Sequence, residues 1–198
     1  MRSLKHMCLP ALVLVSVACS GPTVISTDEG AAEPVSPTPA PTTTRPSNTH
    51  LANAFHFAEN VGGKTGYYFT SPSGRWECAI LPRISAGCQN ATATSTIGIA
   101  DAPDEVPGPD GNAAAPNAIV VERTADPRFA AVAAPGYALA PGPAAELPFN
   151  RILAVADFRC NVQETTGISC RSEISGKGFT FSADGVRLTY TDVPADAP

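Results

Sequence analysis

From Leu51 onward the chain alternates short runs of aromatic and branched side chains with small clusters of Gly, Pro, Ser, Asn and Asp. The runs are Tyr67 to Thr70, Arg75 to Leu81, Ala118 to Arg123, Ile152 to Cys160, Ile168 to Ile174, Phe179 to Ser182 and Val186 to Thr191. Such runs bounded by turn formers read as β-strands. The breaks carry turn chemistry: Ser71-Pro72-Ser73-Gly74, Asp110-Gly111, Pro135-Gly136, Pro141-Gly142, Thr166-Gly167 and Asp184-Gly185. The pattern predicts one small, mainly β domain over 51–198, sandwich or barrel-like. A short helical stretch is predicted around residues 51–60, before Gly62, Gly63 and Gly66. Nine prolines interrupt residues 101–148. Proline removes a ladder donor and is kept out of central strands, so this region reads as long loops flanking edge strands. Arg128 to Ala134 reads alternatively as a short helix, which keeps an α+β fold as the alternative.

The N-terminus has a different pattern. Arg2 and Lys5 precede the apolar run Leu9 to Val15, then Ser16, Val17 and Ala18 lead to Cys19. A basic start, a short apolar stretch and small residues make an export signal over residues 1–18. The run is shorter than the roughly 20 residues a membrane-spanning helix needs. Cys19 directly after Val-Ala looks like the lipid-accepting Cys of a bacterial lipobox, although Ser16 stands where such boxes usually carry Leu. Cleavage without lipidation, with release to the medium, is the alternative. Cys8 lies in the discarded segment. Residues 19–50 hold Pro22, Pro34, Pro37, Pro39, Pro41 and Pro46 among Ser, Thr and Ala. Such a stretch buries too little to order itself and reads as an extended tether, with Thr42, Thr43 and Thr44 as acceptors for O-linked sugar.

Charge narrows the partners. The whole chain has 13 basic and 18 acidic residues, net −5. Loss of Arg2 and Lys5 with the signal would leave 11 against 18, net −7. Nucleic-acid binding needs clustered cations to neutralise phosphates, so that class is excluded. An acidic protein also gains no electrostatic help at an anionic membrane, so the acyl chains on Cys19 would hold it there. More than one chain is needed for stable anchoring.

Four cysteines remain in the body. Cys78 to Cys88 and Cys160 to Cys170 each enclose nine residues between strand-like segments. Two hairpin staples are the simplest connectivity, although four cysteines allow three pairings. An exported protein meets oxidising conditions, and each such loop closure contributes roughly 3 kcal/mol. Zinc ligands are usually spaced two to four residues apart, so no metal site is expected. Trp76 and Phe158 each stand two places before the first Cys of a pair, on the same strand face, which resembles a weak internal repeat.

At these residues the chain resembles a family of exported actinobacterial proteins, many of them mycobacterial lipoproteins. The matching pieces are Phe69-Thr70-Ser71-Pro72-Ser73-Gly74 with Cys78, then Leu147-Pro148-Phe149 leading to Phe158-Arg159-Cys160, then Gly167-Ile168-Ser169-Cys170, and Gly176-Lys177-Gly178-Phe179 with Ser182. Lys177 stands where family members often carry His, and the Pro/Ala-rich middle lacks cysteines found in others. The family is known as secreted or lipid-anchored and of unknown function. The resemblance therefore implies a cell-envelope address and a stapled β-fold, and brings no active site.

Candidate chemistry is thin. Gly62-Gly63-Lys64-Thr65 lacks the first glycine of a phosphate loop. Ser71 stands where the first glycine of a nucleophile elbow belongs. His56 reads as a surface residue, and His50 falls in the tether. Asp101, Asp104, Glu105 and Asp110 lack the spacing of a calcium loop. Asn90-Ala91-Thr92 matches a glycosylation sequon by chance. Glu77, Asp157, Glu164 and Glu173 are the carboxylates a glycoside-cleaving pair would draw on. Tyr67, Tyr68 and Trp76 form either core or, if outward-facing, a binding patch. The reading that results is a protein lipid-anchored through Cys19 on the outer face of the cell membrane, without cofactor or catalytic residues, that binds an envelope protein, polymer or small ligand. The alternatives are a small-molecule or lipid carrier and a carboxylate-dependent envelope hydrolase.

Overall fold

The computed structural model describes residues 48–92 and 96–198; the signal, Cys19 and the Thr42 to Thr44 run lie outside the described residues. In chain order the strands are β1 (Ala58–Val61), β2 (Lys64–Thr70), β3 (Trp76–Leu81), β4 (Ser85–Asn90), β5 (Val106–Pro107), β6 (Ala113–Ala114), β7 (Ala118–Glu122), β8 (Arg128–Ala130), β9 (Ile152–Val155), β10 (Phe158–Gln163), β11 (Gly167–Ser172), β12 (Gly178–Ser182) and β13 (Gly185–Arg187). They form a six-stranded sheet in the order β1-β2-β3-β4-β7-β8, a five-stranded sheet in the order β13-β12-β11-β10-β9, and the small β5-β6 hairpin. Pairing between these strands is antiparallel. The fold is mainly β, as expected, with no closed barrel.

Strand alternation explains how the two large sheets meet. Trp76, Cys78 and Ile80 of β3, Phe158, Cys160 and Val162 of β10, and Phe179 and Phe181 of β12 all point into one shared core. Both disulfides lie in it: Cys78 pairs with Cys88 across β3 and β4, and Cys160 with Cys170 across β10 and β11. All four cysteines are fully buried. Each fully buried Phe or Ile contributes about 2 kcal/mol relative to exposure.

The six-stranded sheet is buried on its outer face too. Tyr68, Ala79, Ala118, Val120 and Ala130 form a second cluster there, covered by Val132, Tyr137, Leu139 and Ala144. The Pro-rich segment thus folds back as a cover, which explains why β3, β4 and β7 are buried at almost every position.

Several expectations are corrected. The stretch 51–60 forms a single 3-10 turn, Ala54–Phe57, and then β1. Arg128 to Ala134 begins as the edge strand β8 and is not helical. The run Ile152 to Cys160 is two strands joined by a two-residue turn, with Ala156 and Asp157 at φ 52° and 71°. The ordered body begins before Leu51, because His50 is buried and its carbonyl accepts from the Ile152 amide at 2.8 Å.

Candidate functional site

The hairpin connections of both sheets gather at the two ends of the molecule, and the ends differ chemically. At one end Arg123 pairs with Asp157 at 3.2 Å, Arg159 with Glu173 at 2.7 Å, and Lys177 with Asp126 at 2.9 Å. Charges there neutralise one another. At the other end the Ser71-to-Gly74 turn, the β10–β11 turn and the β12–β13 turn surround a cleft of about 260 Å³.

The cleft is built from its serine turn upward. The Ser71 amide donates to the Trp76 carbonyl at 3.0 Å, and the Gly74 amide to the Ser71 carbonyl at 2.8 Å. The Ser71 hydroxyl accepts from the Trp76 amide at 3.2 Å and lies 3.0 Å from the Ser73 hydroxyl. Both serines are thereby spent on shaping the turn. Trp76 forms the floor: its Nε1 donates to the Ile97 carbonyl at 3.0 Å, and its ring meets Phe181 edge-on with centroids 5.2 Å apart. The Arg75 guanidinium covers the indole at 4.8 Å. On the opposite wall Gly167 has φ +87°, and a Cβ there would strike the Phe181 carbonyl. Only glycine permits that close approach of β11 to β12.

Phe149, Glu164 and Asp184 complete the lining, and Phe149 is 43% exposed. An adjoining polar cleft of about 250 Å³ shares Ser182 and Asp184 with the first and adds Asp101, Thr166 and Arg187. The Thr166 hydroxyl is buried there without a hydrogen-bond partner. Among the described residues, Asp101, Glu164 and Asp184 take part in no ion pair.

The proposed aromatic patch is corrected. Trp76 lies in the shared core and Tyr68 on the opposite face, under the cover, while Tyr67 is half-buried against the shared core. Successive residues of a strand point to opposite faces, so Tyr67 and Tyr68 cannot share a surface. The four carboxylates also separate. Asp157 and Glu173 meet at the ion-paired end, where the Glu173 amide donates to the Asp157 carbonyl, whereas Glu164 lies in the cleft. Glu77 is half-buried on β3, and burial pushes its carboxyl up.

Other candidates have structural roles. Gly62 and Gly63, both with positive φ, form the β1–β2 hairpin turn. The Asn112 side chain and amide both donate to the Asp110 carboxylate, closing the β5–β6 turn and holding that carboxyl below its ordinary range. Asn90 caps its own turn by accepting from the Thr92 amide at 2.9 Å. His56 is exposed. Among the described residues, no group of three or more His, Cys, Asp and Glu is placed to hold a metal ion.

Phe149, Ser182 and Asp184 were missed as site residues. Each sat beside a recognised strand or turn, but nothing local says that these turns converge. No protein-family model, characterised protein or solved structure matches the chain.

Proposed function

We propose that the protein is an exported lipoprotein, anchored through Cys19, whose β body binds a cell-envelope partner non-catalytically at the end cleft. The address rests on the signal-like residues 1–18, the lipobox-like Val17-Ala18-Cys19 and the likeness to exported actinobacterial lipoproteins. The binding role rests on one observation: an open cleft of about 260 Å³, floored by Trp76 and edged by the partly exposed Phe149. Ligand pockets for whole small molecules hold about 300 Å³ or more. Both clefts at this end are open and neither alone reaches that volume; an open site suits a side chain or ring presented by a larger partner, which favours an interaction module over a lipid carrier.

The test replaces Phe149 with a photo-reactive phenylalanine in the full chain, in intact cells. Covalent capture of a discrete envelope partner, abolished by Glu164→Arg, is expected. Capture that is unaffected by Glu164→Arg, or equally strong from a photo-reactive group at Ile84, would remove the cleft from consideration. Membrane fractionation of Cys19→Ala tests the anchor separately, and retention equal to the unaltered protein would refute it.

A further inference from the structure

The outer face of β10, β11 and β12 is polar and yet buried. Asn161 and Ser169 are fully buried, Thr180 is 2% exposed and Gln163 5%. Burying polar groups is costly unless each finds a partner, and a purely structural cover would be cheaper if apolar, as it largely is over the other sheet. Ser169 bonds Thr180 and Gln163 bonds Asn161 within the face, and the remaining partners come from residues 188–192, which leave β13 and cross it. Asn161 Nδ2 donates to the Tyr190 hydroxyl at 2.8 Å and to the Thr191 carbonyl at 2.9 Å. Gln163 Nε2 reaches the Thr191 and Asp192 carbonyls at 3.3 and 3.4 Å. The Thr180 hydroxyl donates to the Thr189 carbonyl at 2.7 Å and lies 2.9 Å from the Thr191 hydroxyl.

Two features of this docking are informative. First, the face reads mainly backbone carbonyls, which any extended peptide supplies. Among the described residues no backbone-to-backbone hydrogen bond ties 188–192 to the sheets, and Leu188 is 56% exposed. The segment is held by side chains alone. Second, one donor is left unmet. Arg171 stacks its guanidinium 4.7 Å from the Tyr190 ring centroid, and its buried Nε has no hydrogen-bond partner. A group built only to hold this segment would not carry a spare charged donor, because an unmet buried donor is costly. A carboxylate at that point would satisfy it.

We propose that the outer face of β10, β11 and β12 is a receptor groove for an extended, acidic peptide segment of a partner protein, and that residues 188–192 fill it as an intramolecular stand-in. The partner would enter after the stand-in lifts. Its backbone carbonyls would take the Asn161, Gln163 and Thr180 donors, and a Glu or Asp side chain would take Arg171. This surface borders the end cleft, whose lining includes Gln163, and the adjoining polar cleft, whose lining includes Thr180.

The test uses the chain ended after Arg187, with both disulfides formed, titrated with a synthetic peptide of residues 188–198. The truncated chain is expected to keep its fold and bind the peptide, at least tenfold more weakly with Asn161→Ala, while the full chain does not bind it. A Glu scanned through positions 188, 189 and 193 of the peptide is expected to tighten binding tenfold at one position, and Arg171→Met should abolish that gain. A folded truncated chain that binds no peptide, or a Glu scan with no gain, overturns the proposal. Hydrogen exchange of the full chain is the second measurement. Amides of 188–192 should exchange at least a hundredfold faster than those of β11, and exchange in step with β11 would make the segment part of the core and overturn the proposal.

Discussion

Tyr137 lies against Gly87, so close that a Cβ on Gly87 would stand 2.7 Å from the Tyr137 ring. The flanking outward residues of β4 complete a cradle. The Ser85 hydroxyl is 2.9 Å from the Tyr137 hydroxyl, and Gln89 Oε1 accepts from the Tyr137 amide at 2.6 Å. Ser85, Gly87 and Gln89 are two residues apart and therefore share one strand face. The polar groups at each end of the cradle and the bare glycine between them fix where the Pro-rich cover lies.

Gly87→Ala should therefore loosen the cover. The added methyl meets both the Tyr137 ring and, at 2.9 Å, the Ile119 carbonyl, which cannot move without breaking β7. Overpacking of this kind costs about 1–3 kcal/mol. The expected result is faster proteolysis within residues 131–145 at a temperature where the Trp76 fluorescence of the shared core is unchanged. Cleavage at the unaltered rate would show that the cradle does not hold the cover.

The disulfides make a different prediction. Each joins residues directly opposite on neighbouring strands, and all four cysteines are fully buried. Replacing Cys160 and Cys170 together by Ala should cost about 3 kcal/mol, lowering the melting midpoint by about 6–12 °C for a body of this size. Burial also means that a thiol reductant reaches them only when the sheets open. In the unaltered chain, reduction should follow the rate of opening and become independent of reductant concentration at high concentration. A rate that keeps rising in proportion to reductant would contradict the buried placement.

The sequence carried the fold class well because aromatic and branched runs, turn signals and cysteine spacing all act locally. Cys78, Cys88, Cys160 and Cys170 paired as their spacing suggested. What escaped it was set by tertiary context. The strand β4 reads Ser-Ala-Gly-Cys-Gln-Asn, poor in strand formers; it is central because its small residues fit beneath Tyr137, 52 residues away in sequence from Ser85. The end cleft was hidden for the same reason. Its turns were each recognisable, but their meeting follows from the order of strands in two sheets.

The β9–β10 turn is a third such case and can be tested. Ala156 and Asp157 both have positive φ, the requirement of the tight hairpin turn that Asn-Gly usually marks. Nothing in Ala-Asp announces it, so the run read as one strand. A non-glycine residue there is strained by roughly 1–2 kcal/mol, partly offset on substitution by the greater chain entropy of glycine. Ala156→Gly should raise stability by about 0.5–1 kcal/mol, a midpoint increase of a few degrees, while the Arg123–Asp157 ion pair is left in place. A lower midpoint would mean that the turn adopts another conformation in solution.

The C-terminal segment should respond to alkali through Tyr190. Burial pushes its hydroxyl up to about 12 from an ordinary 10.0, with the Asn161 hydrogen bond and the nearby Arg159 and Arg171 charges pulling down and Asp192 pushing up. The folded state therefore prefers the neutral phenol more than the unfolded chain does. This contribution to stability is fully present below pH 10 and is lost as pH rises from about 10 toward about 12. Ionisation would leave a phenolate in a largely desolvated site, a cost that the Asn161 hydrogen bond and the two arginines only partly offset, so residues 188–192 should lift as it titrates. Tyrosinate absorbance is expected to show a late step near pH 12, whose amplitude falls in Tyr190→Phe. Burial also pushes the Tyr68 and Tyr137 hydroxyls up, so the Tyr190 step is read as the late amplitude lost on substitution. If Tyr190→Phe removes none of the late amplitude, the buried phenol is not Tyr190, and the docking of this segment on Asn161 is wrong.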